Sequence, residues 1–236
     1  MILIQKIPKK ANKSFLNIFK DIIAPPLCAV CGKIDAELLC NHCLSRIKEI
    51  KDNICSYCGR PLSRSIIDSK RCNFCKKEDF SFYKHRSFAV YSGEIKKIIK
   101  KYKYNKIYAL KEIITIFLKH TYAKNYRYEK IDYMETVPGE HMEILCELLS
   151  RLIKIPFIGN IMRVRKIAKQ QNLDFTQRRN NIKGAFKIKN CLLCSGKNIL
   201  VVDDVWTTGS TIKEVADVLK KAGADKIYLL TLARGI

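Results

Sequence analysis

No stretch of this sequence approaches the roughly 18 apolar residues that a membrane-spanning helix requires. The longest apolar runs, such as Ile227–Ala233, stop far short of that. The apolar patches near the N-terminus are interrupted by Lys6, Lys9, Lys10, Lys13 and Lys20, so no continuous signal-peptide core forms. Low-complexity stretches are absent, and no internal repeat is found beyond the cysteine pairs described below. These absences are those expected of a soluble, cytoplasmic protein. Acidic residues are also scarce: 22 Asp and Glu stand against 45 Lys and Arg, a formal net charge of +23. Such an excess favours an anionic partner, whether nucleic acid, a membrane surface or a phosphorylated metabolite. At 236 residues, 47% hydrophobic and 28% charged, the chain is long and apolar enough for a packed core. It is too short for three domains of roughly 100–200 residues.

What the sequence does hold in quantity is cysteine, 11 in all. Eight fall into four C-x-x-C pairs: Cys28/Cys31, Cys40/Cys43, Cys55/Cys58 and Cys72/Cys75. Without a secretory signal a disulfide framework is not expected. A C-x-x-C turn instead presents two thiolates from one tight knuckle, and a second knuckle completes the tetrahedron zinc requires. Gly32 and Gly59 follow the second cysteine of a knuckle, where a residue free to take positive φ helps the chain turn. The simplest pairing is sequential, with Cys28, Cys31, Cys40 and Cys43 on one zinc and Cys55, Cys58, Cys72 and Cys75 on another. An interleaved cross-brace has compatible spacing. Closed Cys₄ sites leave no position for substrate, so both zincs are expected to be structural. His42, inside one knuckle, reads as a surface residue or a partner of the ligands. Cys191 and Cys194 form a fifth pair, read as reduced thiols in a hairpin loop between Phe186–Ile188 and Ile199–Val202.

Beyond the knuckles, strands are predicted at Ser87–Tyr91, Ile131–Val137, Ile199–Val202 and Ile227–Leu232. Helices are predicted at Glu94–Lys106, Tyr108–Tyr122, Glu140–Ile153 and Thr211–Ala222, from apolar residues at i, i+3, i+4, i+7 spacing. Strands apolar on both faces that alternate with helices specify a parallel sheet covered on both sides. The expected organisation is an N-terminal segment and small zinc-binding domain over 1–86, followed by an α/β domain over 87–236.

Chemistry concentrates in Ile199–Thr211, ILVVDDVWTTGST. A buried strand delivers Asp203 and Asp204 to its C-terminal tip, and a hydroxyl-rich turn leads into a helix. Gly209 lets the backbone approach a ligand. The N–H groups of Thr208–Thr211 stand at a helix N-terminus, where the dipole favours an anion. Hydroxyls of Thr207, Thr208, Ser210 and Thr211 add donors for phosphate oxygens. The carboxylates must face something other than phosphate, and the vicinal hydroxyls of a ribose suit them. The combination points to a ribose-5-phosphate with its phosphate in the loop and its diol on the aspartates.

This string resembles the signature of type I phosphoribosyltransferases, whose loop binds phosphoribosyl pyrophosphate (PRPP) with Mg²⁺. The departure is Trp206, where a smaller aliphatic residue is usual; it either packs on the sugar face or fills space. The whole order of motifs resembles the ComF family over roughly residues 15–236. Its carriers are the zinc-knuckle head, Tyr91 and Gly93 at a strand end, a helix ending near Lys103, and the closing Thr231-Leu232-Ala233-Arg234. A hood segment joins them, with Arg165, Gln170, Leu173, Arg178, Asn181, Ala185 and Phe186. The resemblance implies a type I phosphoribosyltransferase-like parallel sheet, two structural zincs, a PRPP or ribose-5-phosphate ligand with Mg²⁺, and an accessory role in DNA uptake during natural transformation. Proteins of the uptake machinery are possible partners. The family's Val-Pro turn normally leads into an arginine-rich loop placed to grip pyrophosphate; here Val137-Pro138 runs into Gly139, Glu140 and His141. Lys103, Arg163, Arg165 and Arg178 are the cations available as substitutes. The interleaving of Lys100, Lys101, Tyr102, Lys103, Tyr104 and Tyr108 with Tyr122, Tyr126, Arg127, Tyr128 and Tyr133 suits single-stranded DNA, whose bases stack on rings while lysines track phosphates. An active transferase of unknown acceptor, and a zinc-ribbon binding module with a vestigial pocket, are the alternatives.

Overall fold

The structure is a computed structural model that describes residues 25–62, 71–77, 80–165 and 181–236. In chain order, the zinc-knuckle region contributes two short helices, α1 (Asn41–Ser45) and α2 (Asn73–Lys77). Then come β1 (Lys84–Val90), α3 (Gly93–Lys103), α4 (Leu110–Asn125), β2 (Tyr133–Thr136) and α5 (Glu140–Ile153). A small ribbon, β3 (Ile161–Arg163) and β4 (Phe186–Ile188), precedes β5 (Ile199–Trp206), α6 (Ser210–Lys221) and β6 (Ile227–Arg234). Among the described residues no helix is long and apolar enough to cross a membrane.

The main sheet has the order β1-β6-β5-β2, and every pairing in it is parallel. Residues of β5 and β6 are buried almost throughout, as the unbroken apolar runs require of strands covered on both faces. One face packs on α3, α4 and α5 through Ile95, Ile98, Phe117 and Leu149; the other packs on α6 through Val215 and Leu219. Because all four strands run the same way, their C-terminal ends share one edge. In open parallel sheets that edge is where ligands bind.

Several elements depart from the sequence expectations. Strand β5 does not stop at Val202; it pairs with β6 as far as Trp206↔Arg234. The two aspartates therefore lie within a strand rather than at its tip. The cause is β6, which is itself buried to Arg234 and offers backbone partners to the end. Cys191 and Cys194 are not in a hairpin loop. β4 pairs antiparallel with β3, not with β5, and the cysteines occupy a short 3₁₀ turn (Cys191–Leu193 and its cap) joining the ribbon to the main sheet. Both are free thiols, Cys191 exposed and Cys194 buried.

Candidate functional site

Both cysteine clusters are assembled in the sequential pairing. Cys28, Cys31, Cys40 and Cys43 form one group and Cys55, Cys58, Cys72 and Cys75 the other, with the Sγ atoms of each within 4.8 Å of one another. Zinc at about 2.3 Å from four tetrahedral sulfurs sets them about 3.8 Å apart. The Cys31–Cys40 and Cys58–Cys72 separations are 3.8 and 3.7 Å, so the donor set fits the ion. Backbone N–H groups aim at the sulfurs as well. Cys40 N donates to Cys28 Sγ at 3.4 Å, and Cys72 N to Cys55 Sγ at 3.3 Å. Each knuckle closes on its glycine: Gly32 N bonds Cys28 O and Gly59 N bonds Cys55 O, both at 2.9 Å, with φ of 74° and 65°. His42 is exposed, with Arg46 at 3.5 Å. Helices of five residues cannot by themselves bury enough apolar area to hold a fold, which is where about 10–16 kcal/mol of zinc binding free energy acts.

At the C-terminal edge of the sheet, β5 leads into Thr207, Thr208 and Gly209. Gly209 has φ +80° and caps α6. Thr208 and Ser210 exchange a hydroxyl hydrogen bond at 2.9 Å; Thr207 is exposed, and Thr208, Ser210 and Thr211 are partly so. The loop thus offers hydroxyls and a 12-residue helix N-terminus toward the shared strand edge.

Asp203 and Asp204 line one small cavity together with Lys103, Tyr102 and Leu232. Asp203 Oδ1 accepts from Asp204 N at 2.8 Å. Asp204 Oδ2 receives Lys103 Nζ at 2.5 Å and lies 3.5 Å from His141 Nε2. These neighbours split the two carboxyls. Burial and the adjacent Asp204 charge push Asp203 up to about 7. Burial also acts to raise Asp204, but the contacts of His141 and Lys103 outweigh it and hold the group down at about 2. Lys103 is in turn raised: burial opposes its charge, and Asp204 more than compensates. Tyr91, raised by burial and then by Asp204, stands close enough to feel the same carboxylate.

The remaining candidate cations are distributed unevenly. Arg163 donates to the carbonyl of Pro138 at 2.9 Å, at the end of β2. Arg165 donates to Lys183 O at 2.6 Å, and Asn181 is partly buried ahead of β4, between the two strands of the ribbon. Arg178, Gln170 and Leu173 lie outside the described residues. Sequence reasoning alone misses His141 as a partner of Asp204 in this site. Its signal is nonetheless there: Pro138-Gly139 ends a strand, so the first turn of the following helix must open at the sheet's C-terminal edge. Trp206 is 2% exposed and packs beneath the loop against Phe82 and His85, so of the two readings it fills space and does not face the sugar.

The aromatic-basic run does not form one surface. Tyr102, Tyr126 and Tyr133 are core residues. Tyr104, 60% exposed, lies beside Lys103 near the candidate site, whereas Tyr128 with Arg127 follows α4 at the opposite edge of the sheet. Helical and strand periodicity put these rings inside, which composition alone did not reveal.

Comparison with known proteins follows the same division. Residues 19–78 match the double zinc ribbon domain family, and residues 142–236 match the phosphoribosyl transferase domain family. The sheet is thus of the phosphoribosyltransferase type. The chain is 28% identical over 225 residues to "Competence protein F" of Haemophilus influenzae, across 83% of this chain and 96% of that protein. It is 26% identical over 232 residues to "DNA utilization protein YhgH" of Escherichia coli O157:H7, across 90% and 99%. To "Competence protein ComFC" of Streptococcus pneumoniae it is 24% identical over 204 residues, across 85% and 89%.

Proposed function

For this chain, which belongs to the ComF family of a double zinc ribbon joined to a phosphoribosyltransferase-type domain, we propose that the Thr207–Thr211 loop binds the phosphate of PRPP or ribose 5-phosphate while Asp203 and Asp204 hold the ribose diol. The protein acts in this capacity as an accessory factor in DNA uptake. The observation that carries the ligand reading is the convergence on one sheet edge of a positive-φ glycine turn, a helix N-terminus and two carboxyls held in different protonation tendencies. The names of the relatives, which speak of competence and DNA utilization, support the biological role.

The residues divide the work by charge. Backbone N–H groups and hydroxyls of the loop donate to the phosphate oxygens. Asp204, ionised and pinned by Lys103, accepts from one ribose hydroxyl and has little freedom to reorient. Were PRPP bound with Mg²⁺, the ion would supply neutralisation of the ligand's negative charge, and Asp203 and Asp204 are the acidic side chains at that edge. Lys103, with His141 beside it on Asp204, stands in for the arginine-rich loop that Gly139, Glu140 and His141 replace.

Single-stranded DNA is the second ligand of this proposal. Its surface is the α3 face, where exposed Lys96, Lys97 and Lys100 lead to Tyr104. A ring for stacking beside a row of cations is what sequence-tolerant strand binding requires.

Thermal unfolding with ribose 5-phosphate, and with PRPP plus Mg²⁺, tests the ligand. A compound that binds only the native state raises the Tm, and about 100-fold excess over Kd adds about 2.7 kcal/mol. The Asp203→Ala plus Asp204→Ala protein is expected to lose that shift. An unchanged Tm in the parent protein at saturating ligand would remove the basis of the reading. For DNA, a labelled oligonucleotide is expected to bind with strong salt dependence, and Tyr104→Ala to weaken it. Binding that ignores salt and Tyr104 would displace this surface.

A further inference from the structure

The loop that holds the sugar phosphate does not rest on its own domain alone. Gly209 lies against the indole of Trp206 so closely that a Cβ at that position would stand 2.8 Å from Cε2 and Cζ2. The indole is also contacted by β1, by the segment leading into it and by β6, and two of these contacts lead on to the second cysteine cluster. His85 lies over it with ring centroids 4.3 Å apart, and Phe82 meets it edge-on at 5.5 Å. The Arg234 guanidinium is 5.5 Å from its centroid.

Both polar neighbours of the indole end on one atom, the carbonyl oxygen of the cluster ligand Cys58. His85 Nδ1 is 2.8 Å from it, and Arg234 Nη1 donates to it. His85 and Arg234 are fully buried. The chain of contacts closes at the loop, since Gly235 N donates to Trp206 O at 2.8 Å and Arg234 Nε donates to Gly235 O at 3.2 Å. The ribbon backbone is equally tight against β1, where a Cβ on Gly59 would stand 2.8 Å from His85 O. Cys55, Cys58, Cys72 and Cys75 accordingly share one hydrophobic cluster with Trp206, Ile212 and Val215 of the loop and α6. The first cluster, by contrast, packs on the other core with α3 and α4.

We propose that Trp206 is a positioning residue that seats the Thr207–Thr211 loop on the second cysteine ribbon, so that zinc at Cys55, Cys58, Cys72 and Cys75 sets the affinity for the sugar phosphate, while zinc at the first cluster does not. The inference rests on the ligand reading above and adds to it a dependence on one of two chemically alike metal sites. The physical cause is rigidity. The Cys58 carbonyl can hold His85 and Arg234 only while the knuckle is held, and a packed indole transmits that placement because the interior has no slack to absorb a shift. By linkage the effect is reciprocal: sugar phosphate must raise the affinity of the second cluster for zinc by the same factor.

Trp206 is the one tryptophan of the chain, so its fluorescence reports on this position alone. The test uses full-length, zinc-loaded protein with ribose 5-phosphate as the probe, followed by titration calorimetry and tryptophan emission. Ribose 5-phosphate is expected to shift the emission of the parent protein. Trp206→Leu is expected to bind at least about tenfold more weakly while keeping both zincs, and Trp206→Phe, which retains an aromatic wall, to recover most of the affinity. A Cys75→Ser protein is expected to change the emission and weaken binding; Cys31→Ser, which opens the first cluster, is expected to do neither. Should Trp206→Leu fail to fold, the Cys75→Ser and Cys31→Ser pair decides by the same two readouts. Equal affinity in Trp206→Leu, or equal effects of the two cysteine changes, overturns the inference and leaves the ligand reading intact. No binding by the parent protein overturns both.

Discussion

Lys103 Nζ reaches Asp204 Oδ2 across 2.5 Å, although the two residues are 101 positions apart in the chain. The pair joins the last turn of α3 to the middle of β5, and His141 from the first turn of α5 leans on the same oxygen at 3.5 Å. Three elements that are distant in sequence are thereby tied at the C-terminal edge of the sheet.

Removing the cation should expose the cost of the carboxylate it serves. Lys103→Met is expected to lower stability by about 1–3 kcal/mol, since one partner of a largely buried pair is left uncompensated. Asp204→Asn in the same chain is expected to restore most of that loss. Denaturant unfolding of the four proteins in the double-mutant cycle measures it, and simple additivity of the two changes would show that the pair contributes nothing.

The two aspartates act oppositely on the pH dependence of stability. Asp203 titrates near 7 in the folded protein because of burial and the Asp204 charge, against about 4 when unfolded. A raised carboxyl contributes stability fully below about pH 4 and loses it as pH rises toward 7. Glu135 on β2, also raised to about 7 by burial, adds to the same window. Asp204, held at about 2, contributes above pH 4 and loses its share as pH falls through 2. Buried His85, held well below its usual range by burial, acts the other way up to about pH 6.5, so the carboxyl-driven decline in Tm is read from the difference between parent and variant. In Asp203→Asn the decline should be shallower, and an identical slope in both proteins would refute the assignment.

Zinc content provides a third measurement. Two zinc ions per chain are expected by elemental analysis. Stripping them with a strong chelator is expected to unfold at least the cysteine ribbons, since metal binding free energy there is folding free energy. Circular dichroism and proteolysis follow the loss. One ion per chain, or none, would contradict the paired Cys₄ clusters.

Gly209→Ala separates backbone conformation from contact. At φ +80° an alanine costs about 1–2 kcal/mol, and its Cβ also meets the indole at 2.8 Å. Together these are expected to cost about 2–4 kcal/mol and to abolish the sugar-phosphate Tm shift. Gly184, at φ +69° with nothing within 4 Å of where a Cβ would stand, is the control: Gly184→Ala is expected to show only the conformational part. Equal losses at the two positions would mean that the indole does not constrain the loop.

The sequence was legible where chemistry is local. C-x-x-C knuckles, a glycine-threonine turn between an apolar strand and a helix, and i, i+3, i+4 spacing all depend on residues a few positions apart, so they can be read in one pass. Even the length of β5 escaped that reading, because Asp203–Trp206 continue as strand only through pairing with β6. Tyr102 falls on the apolar face that its helical spacing already marks, whereas Tyr126 and Tyr133 are core because of what packs opposite them, which spacing does not show.

By itself, then, the order of residues determined which groups exist: eight thiolates in four knuckles, a phosphate-suited turn and two adjacent acids. Tertiary structure decided how they are shared. It paired the knuckles sequentially, brought Lys103 and His141 to Asp204, split the protonation of the two aspartates, and set the Thr207–Thr211 loop on an indole flanked by His85 and Arg234. The contacts of Asp204 with Lys103 and His141, and of Trp206 with His85, join segments more than sixty residues apart. Such contacts form only when burial of the common core offsets the chain entropy of bringing them together.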